Sequence, residues 1–269
     1  MHHRMLRDAA LFLAGLLSWA CKPEPIEWGE ARPLPPALAS TTNLAFDAGQ
    51  NLVARPPANV TPPVFTSQCT GSARVARDTT GDWYAVWWSA RGDSTALVVV
   101  SRSTDGVTWG PAVVVDSTDA GPVGCRRAAP SIYVDGTNIH VAYAMAAREG
   151  PGIFASHSMD RGMTFHSPVA VVYGEHIGET AIAARGNLVA VAYEDPNSDP
   201  QRVAVAFSRT MAHTFETREL TSPPTGPARD PGVVLGDGKI VVTWARGTAG
   251  AAGDTDASAP RVMRIGELR

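Results

Sequence analysis

Arginines and carboxylates are found in three short segments, which could together form one binding or catalytic site. The segments are GCRRAAP, GEHIGET and PARDP, and the candidate residues in them are Arg126, Arg127, Glu175, Glu179, Arg229 and Asp230. A guanidinium grips a carboxylate through two parallel hydrogen bonds, and nearby carboxyl groups can act as acid and base. These residue types therefore fit recognition of a carboxylate-bearing ligand, with or without acid–base chemistry.

Other titratable residues could extend this site. They are Arg91, Asp93, Arg148, Glu149, His176, Glu194, Asp195 and Arg246. For each candidate the alternative is a solvated loop charge or a salt bridge, and a surface histidine in the case of His176. No Cys or His spacing is typical of a zinc site, and DTDASA at 254–259 lacks the glycine and final glutamate of a calcium loop. We therefore expect no metal and no cofactor.

The overall composition limits the classes of partner. With 269 residues the chain can bury a substantial core as one or at most two domains. The net charge is −3, and the sequence contains no basic run. Because phosphate binding needs a concentrated positive field, we expect no nucleic acid partner.

The N-terminal residues are typical of an export signal. Arg4 and Arg7 precede apolar residues 9–20, a stretch too short to span a bilayer but long enough for a signal-peptide core. LSWAC, ending at Cys21, resembles the lipobox of bacterial lipoproteins, which implies a lipidated cysteine and an envelope location at the outer membrane or cell surface. The alternative is ordinary secretion with cleavage nearby. Proline-rich residues 22–41 predict an extended tether before a folded domain at 42–269.

Short β-branched and aromatic runs, separated by Gly, Asp and Asn turns, continue from about residue 42 to the end. They predict an all-β chain without amphipathic helices. One unit, a turn followed by a strand with an aromatic end, recurs with Trp87, Tyr143, Tyr193 and Trp244 spaced 56, 50 and 51 residues apart. A period near fifty residues is typical of propellers and other repeat architectures.

A second unit keeps the same period. Its copies are STDGVTW, SMDRGMTF and SRTMAHTF, and the third has Thr210 and Ala212 where the others have Asp and Gly. The motif resembles the Asp box of sialidase-like β-propellers. The residues that carry this resemblance are Ser103, Asp105, Gly106, Trp109, Ser158, Asp160, Gly162 and Phe165. Ser and Asp can hydrogen-bond a tight turn and Gly relieves its backbone, so we expect a structural role for the box, on the face opposite the ligand site.

The resemblance implies a β-propeller of about four, possibly five, four-stranded blades. The last repeat stops after three strands, and residues 43–55 are the predicted source of its missing outer strand. A reduced propeller, a five-bladed ring with one degenerate blade and an incomplete ring all remain open. The charged segments named first would lie in loops at one end of the ring.

Three cysteines suggest one lipid site and one disulfide. With Cys21 lipidated, Cys69 and Cys125 remain, and they precede equivalent first strands of neighbouring repeats. A disulfide between these two cysteines would join adjacent blades in an oxidising compartment. Two unpaired buried thiols are the alternative.

Two function hypotheses follow from the resemblance. A sialidase holds its substrate carboxylate with three arginines and uses an aspartate acid and a glutamate-activated tyrosine nucleophile, but no motif here assigns Tyr133 or Tyr173 to that role. The short chain and the missing motifs favour a propeller that binds a glycan or a surface protein without turnover. The alternative is an exo-α-sialidase-type glycoside hydrolase with Arg126, Arg127 and Arg229 as the clamp and Glu175, Glu179 and Asp230 as acid–base candidates. A purely structural role in the envelope is a third option.

Overall fold

The fold is known from a computed structural model, which describes residues 26–38, 43–55, 60–247 and 259–268. The described chain is all-β apart from one 3₁₀ turn, Pro36–Leu38. No described helix has the length and apolar character needed to cross a membrane. The predicted signal peptide at 1–21, with Cys21, lies outside the described residues.

Four short strands come first. They are β1 (Glu27–Trp28), β2 (Arg32–Pro33), β3 (Leu44–Phe46) and β4 (Leu52–Ala54). Strands β3 and β4 pair with each other as a separate antiparallel hairpin.

Antiparallel sheets then follow one another along the chain, and we number them blades 1 to 4. Blade 1 contains β5 (Arg74–Arg77), β6 (Trp83–Ala90), β7 (Ala96–Ser103) and β8 (Val113–Asp116). Blade 2 contains β9 (Ser131–Asp135), β10 (Asn138–Ala147), β11 (Gly150–Ser158) and β12 (Val169–Tyr173). Blade 3 contains β13 (Thr180–Arg185), β14 (Leu188–Glu194), β15 (Val203–Ser208) and β16 (Thr217–Leu220). Blade 4 contains β17 (Ala228–Gly236), β18 (Lys239–Arg246) and β19 (Arg261–Glu267), with β1 and β2 paired to the free edge of β19.

Consecutive blades share their hydrophobic cores. Tyr84 of blade 1 and Tyr143 of blade 2 belong to one buried cluster, Tyr193 of blade 3 packs with the far side of blade 2, and Trp244 of blade 4 packs against blade 3. The central strands are therefore buried on both faces, which explains runs such as WYAVWW where an exposed strand would alternate. Burying each large side chain contributes about 1.5–3 kcal/mol. This succession of stacked four-stranded sheets is a β-propeller.

The recurring serine–aspartate turns close the third strand onto the fourth. In blade 1, Asp105 Oδ1 accepts the backbone N–H groups of Val107 at 2.8 Å and Thr108 at 2.7 Å, and Ser103 Oγ accepts that of Gly106 at 2.9 Å. Gly106 has a φ of 74°, and a Cβ there would lie 2.9 Å from Trp83 Nε1, so only glycine fits. The side chains of Ser103 and Asp105 are thus committed to hydrogen bonds within the turn.

The blade 2 turn repeats this pattern, and the third turn reproduces it with a hydroxyl. Asp160 Oδ1 accepts the N–H groups of Met163 at 3.0 Å and Thr164 at 2.9 Å. In blade 3 the hydroxyl of Thr210 accepts the N–H of Thr214 at 3.0 Å, and Ala212 takes a φ of 67° where blade 2 has a glycine. The third turn thus keeps the fold of the motif without its carboxylate.

The disulfide prediction is confirmed. Cys69 and Cys125 are bonded, with their Cα atoms 5.2 Å apart, and they join the segment before β5 to the loop before β9. The bond therefore ties blade 1 to blade 2.

The prediction that residues 43–55 supply the outer strand of blade 4 is wrong. Residues 27–33, within the predicted tether, complete the sheet, and Ile26 and Leu34 beside them are buried. The open edge of β19 needs a hydrogen-bonding partner, and Ile26 packs against Gly266 where a side chain would not fit. Residues 43–55 instead form the β3–β4 hairpin, whose Leu44 packs with Val234 of β17.

Candidate functional site

The loops that enter the first strand of each blade lie at one end of the propeller, which we call the entry end. Strands β9, β13 and β17 begin there, and because neighbouring strands are antiparallel, β14 and β18 end there. The serine–aspartate turns lie at the opposite end, which we call the turn end. The charged segments singled out from the sequence lie in or beside these entry loops.

Glu194 is the centre of a polar cluster at the entry end. This residue, 8% exposed, ends β14. Its Oε1 accepts the backbone N–H of Asp230 at 2.9 Å, and its Oε2 accepts the N–H of Glu179 at 3.2 Å and the amide of Gln201 at 3.1 Å. Burial raises the pKa of Glu194, and these hydrogen bonds oppose the rise. The side chain thus links the starts of β13 and β17.

The close approach of Glu194 to the loop before β13 depends on a glycine. A Cβ at Gly178 would lie 2.1 Å from Glu194 Oε2. No side chain can occupy that position without moving the carboxylate, so Gly178 permits the contact.

Asp230 is held in an unusual backbone conformation. Its φ of 53° lies in the left-handed region, and a bulge interrupts the β17–β18 pairing between Arg229 and Gly232. Arg261 forms an ion pair with the Asp230 carboxylate and donates to the Asp230 carbonyl at 3.0 Å. A non-glycine residue in this region costs of order 1 kcal/mol, so the bulge and Arg261 together fix the carboxylate in place.

Glu179 has the free carboxyl group of the cluster. It is partly buried, and its carboxyl forms no hydrogen bond or ion pair with the residues that the structure describes. Burial, and after it the charges of Glu194 and Asp230, raise the pKa of Glu179 to about 7, while the charge of Arg74 opposes the rise. At neutral pH this group can therefore donate a proton or accept one.

The other predicted residues divide between structural and exposed positions. Arg127 is buried, where it forms two hydrogen bonds with Asp119 at 2.9 and 2.6 Å and lies over the ring of Trp88 at 5.1 Å. Arg126 and Glu175 are exposed in their loops. The predicted clamp of three arginines is therefore not assembled, because the guanidinium of Arg127 is already paired.

Arg229 is buried beside the cluster but keeps its guanidinium uncommitted. It is 8% exposed and follows Ala228 at the start of β17. Within the described ranges its side chain has no hydrogen bond or ion pair, and its Nε is among the buried nitrogens without a partner. Of the predicted clamp residues, Arg229 alone thus combines burial with a free guanidinium.

Sequence reasoning missed two arginines of the site. Arg261 opens β19, a strand that gave no functional signal, and Arg74 opens β5 in blade 1. Arg261 reaches the cluster within blade 4, through its ion pair with Asp230, and Arg74 reaches it from blade 1, through the effect of its charge on Glu179. No spacing along the chain could have indicated either contact.

A cavity of about 220 Å³ lies at the entry end of blade 4. It lies between residues 223–228 and the end of β18, and Trp244 and Arg246 contribute to its wall. Its volume is below the roughly 300–1,000 Å³ of drug-sized ligand pockets, so it would suit a small group at the end of a longer ligand.

Comparisons with known proteins find structures of similar fold, and they do not identify an activity. No family model and no curated protein matches the chain. A solved structure from Dyadobacter fermentans DSM 18053, of a protein of unknown function, is similar with a TM-score of 0.56 and 15% identity, covering 83% of this chain and 62% of that one. At this identity the similarity shows the fold alone, and this chain spans less than two thirds of that protein.

Two enzymes have lower scores. An alpha-L-arabinanase from Penicillium chrysogenum, complexed with arabinobiose, has a TM-score of 0.49 and 18% identity over 70% of this chain and 60% of that one. An alpha-L-arabinofuranosidase from Fusarium graminearum has a TM-score of 0.47 and 16% identity over 72% and 62%. Similarities at this level support no inference about activity, so the function must be argued from the site.

Proposed function

We propose that the protein is a β-propeller that binds a glycan at its entry end without turnover. The observation that carries this proposal is the free carboxyl of Glu179 beside Glu194 and Asp230. Carboxylates accept hydrogen bonds from sugar hydroxyls, and hydrogen bonds with a charged partner contribute about 1.5–3 kcal/mol each. The uncommitted guanidinium of Arg229 would suit a sugar that carries a carboxylate.

The first test is binding by Glu179→Gln, with Glu175→Gln as the matched control. Both residues lie in the loop before β13, but Glu175 is exposed and outside the cluster. A panel of neutral and acidic oligosaccharides is screened against the wild-type protein, and the best ligand is titrated calorimetrically. We expect Glu179→Gln to weaken binding about tenfold or more and Glu175→Gln to leave it within about twofold. Equal affinities for the two variants would contradict the assignment of the site.

Glycoside hydrolysis is the second candidate function. The raised pKa of Glu179, about 7, is the property that a general acid needs at neutral pH, and Asp230, whose charge contributes to that rise, is the candidate base. A sialidase-type clamp would have to be built on Arg229 without Arg127. Fluorogenic glycosides, a sialoside among them, provide the assay. Turnover that disappears in Glu179→Gln and survives in Glu175→Gln would replace binding by hydrolysis.

We also propose the finer family assignment. The serine–aspartate turns support membership of the sialidase-like Asp-box propellers, and the β3–β4 hairpin beside β17 would be a degenerate fifth blade. An experimental structure tests both: the hairpin should lie between β17 of blade 4 and β5 of blade 1. A ring of four blades that closes without the hairpin would contradict the fifth blade.

We propose export and lipid anchoring through Cys21. The Cys69–Cys125 disulfide supports an oxidising compartment, where such bonds persist. The membrane would be contacted only through the anchor, and partners would be a glycan or a surface protein, not a nucleic acid. Labelled fatty acid should be incorporated into the wild-type protein and not into Cys21→Ser, and label in both would exclude this anchor.

A further inference from the structure

Three histidines meet at the turn end, two from blade 2 and one from blade 3. His157 lies in β11, His166 follows the blade 2 turn, and His213 lies in the blade 3 turn. One ring nitrogen from each lies within 4.8 Å of the other two. The ring centroids are 4.3 Å apart for His157 and His166 and 4.6 Å apart for His157 and His213. Two adjacent blades therefore bring three imidazoles together.

Backbone hydrogen bonds hold the two histidines of blade 2 in place. The N–H of His166 donates to the carbonyl of His157 at 2.9 Å, and Ser156 Oγ donates to the carbonyl of His166 at 2.7 Å. The position of the pair is thus set by the main chain, and the exposed ring of His166 stacks on that of His157.

The tautomer of His213 is set by its own turn. Its Nδ1 lies 2.6 Å from the carbonyl oxygen of Thr210. Because a carbonyl only accepts, Nδ1 carries the proton and Nε2 presents a lone pair. A hydrogen bond of this kind, from the distal nitrogen to a carbonyl, is the usual support of a metal-bound histidine.

His157 has a second, independent feature that points to a ligand site. The residue is 2% exposed, and its buried Nε2 has no hydrogen-bond partner among the described residues. A buried nitrogen left unpaired costs about 1–3 kcal/mol, whereas coordination of a cation would satisfy it. Behind it, His140 stacks at 5.9 Å and gives no hydrogen bond to either ring nitrogen of His157.

We propose that His157, His166 and His213 bind one divalent transition-metal ion, with zinc as the cation of choice. Imidazole nitrogens are ligands for such ions and not for calcium or magnesium, which prefer oxygen. Zn–N distances of about 2.0–2.1 Å place tetrahedral ligand nitrogens about 3.4 Å apart, so the three rings must close by a little over 1 Å. The exposed rings of His166 and His213 can make that movement. Water would take the fourth position, on the solvent side.

The ion would clamp blade 2 to blade 3 at the turn end. His157 and His166 come from one blade and His213 from the next, so coordination would add a link at the turn end between two sheets that already share an apolar core and hydrogen bonds such as that between Ser131 Oγ and Thr180 Oγ1 at 3.1 Å. The spacing of the three residues matches no zinc motif in the sequence, because the third ligand comes from the following blade. The expectation of a protein without metal rested on linear spacing alone.

Zinc binding by the full chain tests the proposal. His2 and His3 are replaced by alanine in every sample to remove an N-terminal pair that could bind metal, and bound metal is stripped with a chelator. Calorimetry with zinc chloride should give one ion per chain, with an affinity reduced about 100-fold in His213→Ala and in His166→Ala. His176→Ala, which removes an exposed histidine at the entry end, should bind as the parent does.

The outcome that overturns the proposal is equally specific. Zinc titrations that are unchanged in both His213→Ala and His166→Ala, or that show no saturable site in the parent, would exclude it. Magnesium that competes at equal concentration would also exclude it. Because both substituted side chains are exposed, the variants are expected to fold, and their unfolding temperatures without metal should match the parent. With zinc added, the parent alone should unfold at a higher temperature, since a ligand that binds only the folded state stabilises it.

Discussion

Carboxylates at the two ends of the propeller have opposite environments. At the turn end, Asp160 accepts hydrogen bonds from Thr164 and Ser158, which lower its pKa to about 2, and backbone donors lower the pKa of Asp105 as well. At the entry end, burial raises the pKa of Glu179 to about 7, and its carboxyl has no donor among the described residues. The carboxylates at the turn end are thus ionised and hydrogen-bonded within the protein. At the entry end the carboxyl of Glu179 has no donor among the described residues and changes its protonation state near neutral pH.

The difference shows which carboxylates are structural and which are available for a ligand. Hydrogen-bond donors lower the pKa of the carboxylates at the turn end, whereas desolvation together with like charge raises the pKa at the entry end. Glu194 stands between them, since it accepts three hydrogen bonds and is nevertheless buried enough for its pKa to rise. Substitution of a carboxylate at either end, or of the hydroxyl that replaces one in the third turn, should therefore affect stability in different ways.

The largest effect is expected for Glu194→Ala. The substitution leaves the N–H groups of Glu179 and Asp230 without their acceptor, and the free energy of unfolding should fall by about 2–4 kcal/mol. Chemical denaturation measures the change. Glu175→Ala, an exposed glutamate on the same end, should change it by less than about 0.5 kcal/mol. Equal losses for the two variants would show that Glu194 is not the centre of the cluster.

Glu179→Gln should stabilise the protein at high pH and not at low pH. The pKa of Glu179 is about 7 in the folded protein against an ordinary 4.5, so the folded state holds this proton more tightly than the unfolded state. Its ionisation therefore destabilises the fold as pH rises from about 4.5 through 7. We expect the variant to equal wild type near pH 4 and to be more stable by about 3 kcal/mol at pH 8. A difference independent of pH would contradict the raised pKa.

Asp160→Asn should show the opposite pH dependence. The pKa of Asp160 is about 2 against an ordinary 3.8, so the carboxylate stabilises the fold above about pH 4 and that contribution is lost as pH falls through 2. Thermal unfolding at pH 7 should begin a few degrees lower in the variant. The gap should narrow as the pH is lowered towards 2. A variant that unfolds with wild type at pH 7 would remove the structural role of the turn carboxylate.

The smallest effect is expected for Thr210→Val. In the third turn the hydroxyl of Thr210 accepts a backbone hydrogen bond that an aspartate accepts in the other two turns, but it carries no charge. Its loss should cost about 0.5–1 kcal/mol, with no dependence on pH between 4 and 8. Denaturation at both pH values checks this prediction, and a pH-dependent loss would mean that the nearby His213 contributes to it.

Local sequence features predicted the repeating parts of the fold well. The aromatic strands fall on the second strand of each blade, the serine–aspartate turns close the third strand onto the fourth, and Cys69 pairs with Cys125. Each of these depends on residues close in sequence or on a repeat that places equivalent residues side by side. The prediction of an extended tether is wrong at residues 26–38, because β1 and β2 pair there with β19. This pairing joins segments that are far apart in sequence, and proline-rich composition does not indicate such a contact.

The sequence by itself determined an all-β repeat, its period, the turns that close each hairpin and the cysteines that join two blades. Hydrogen bonds within a hairpin turn and the β preference of β-branched and aromatic runs are local properties, so the order of residues specifies them. Only the tertiary structure decided which charges act together. Arg127 is occupied by Asp119, Glu179 is left free beside Glu194, and His213 meets His157 across a blade boundary. These outcomes depend on distances between residues that the chain separates, and on the water that packing removes from around them.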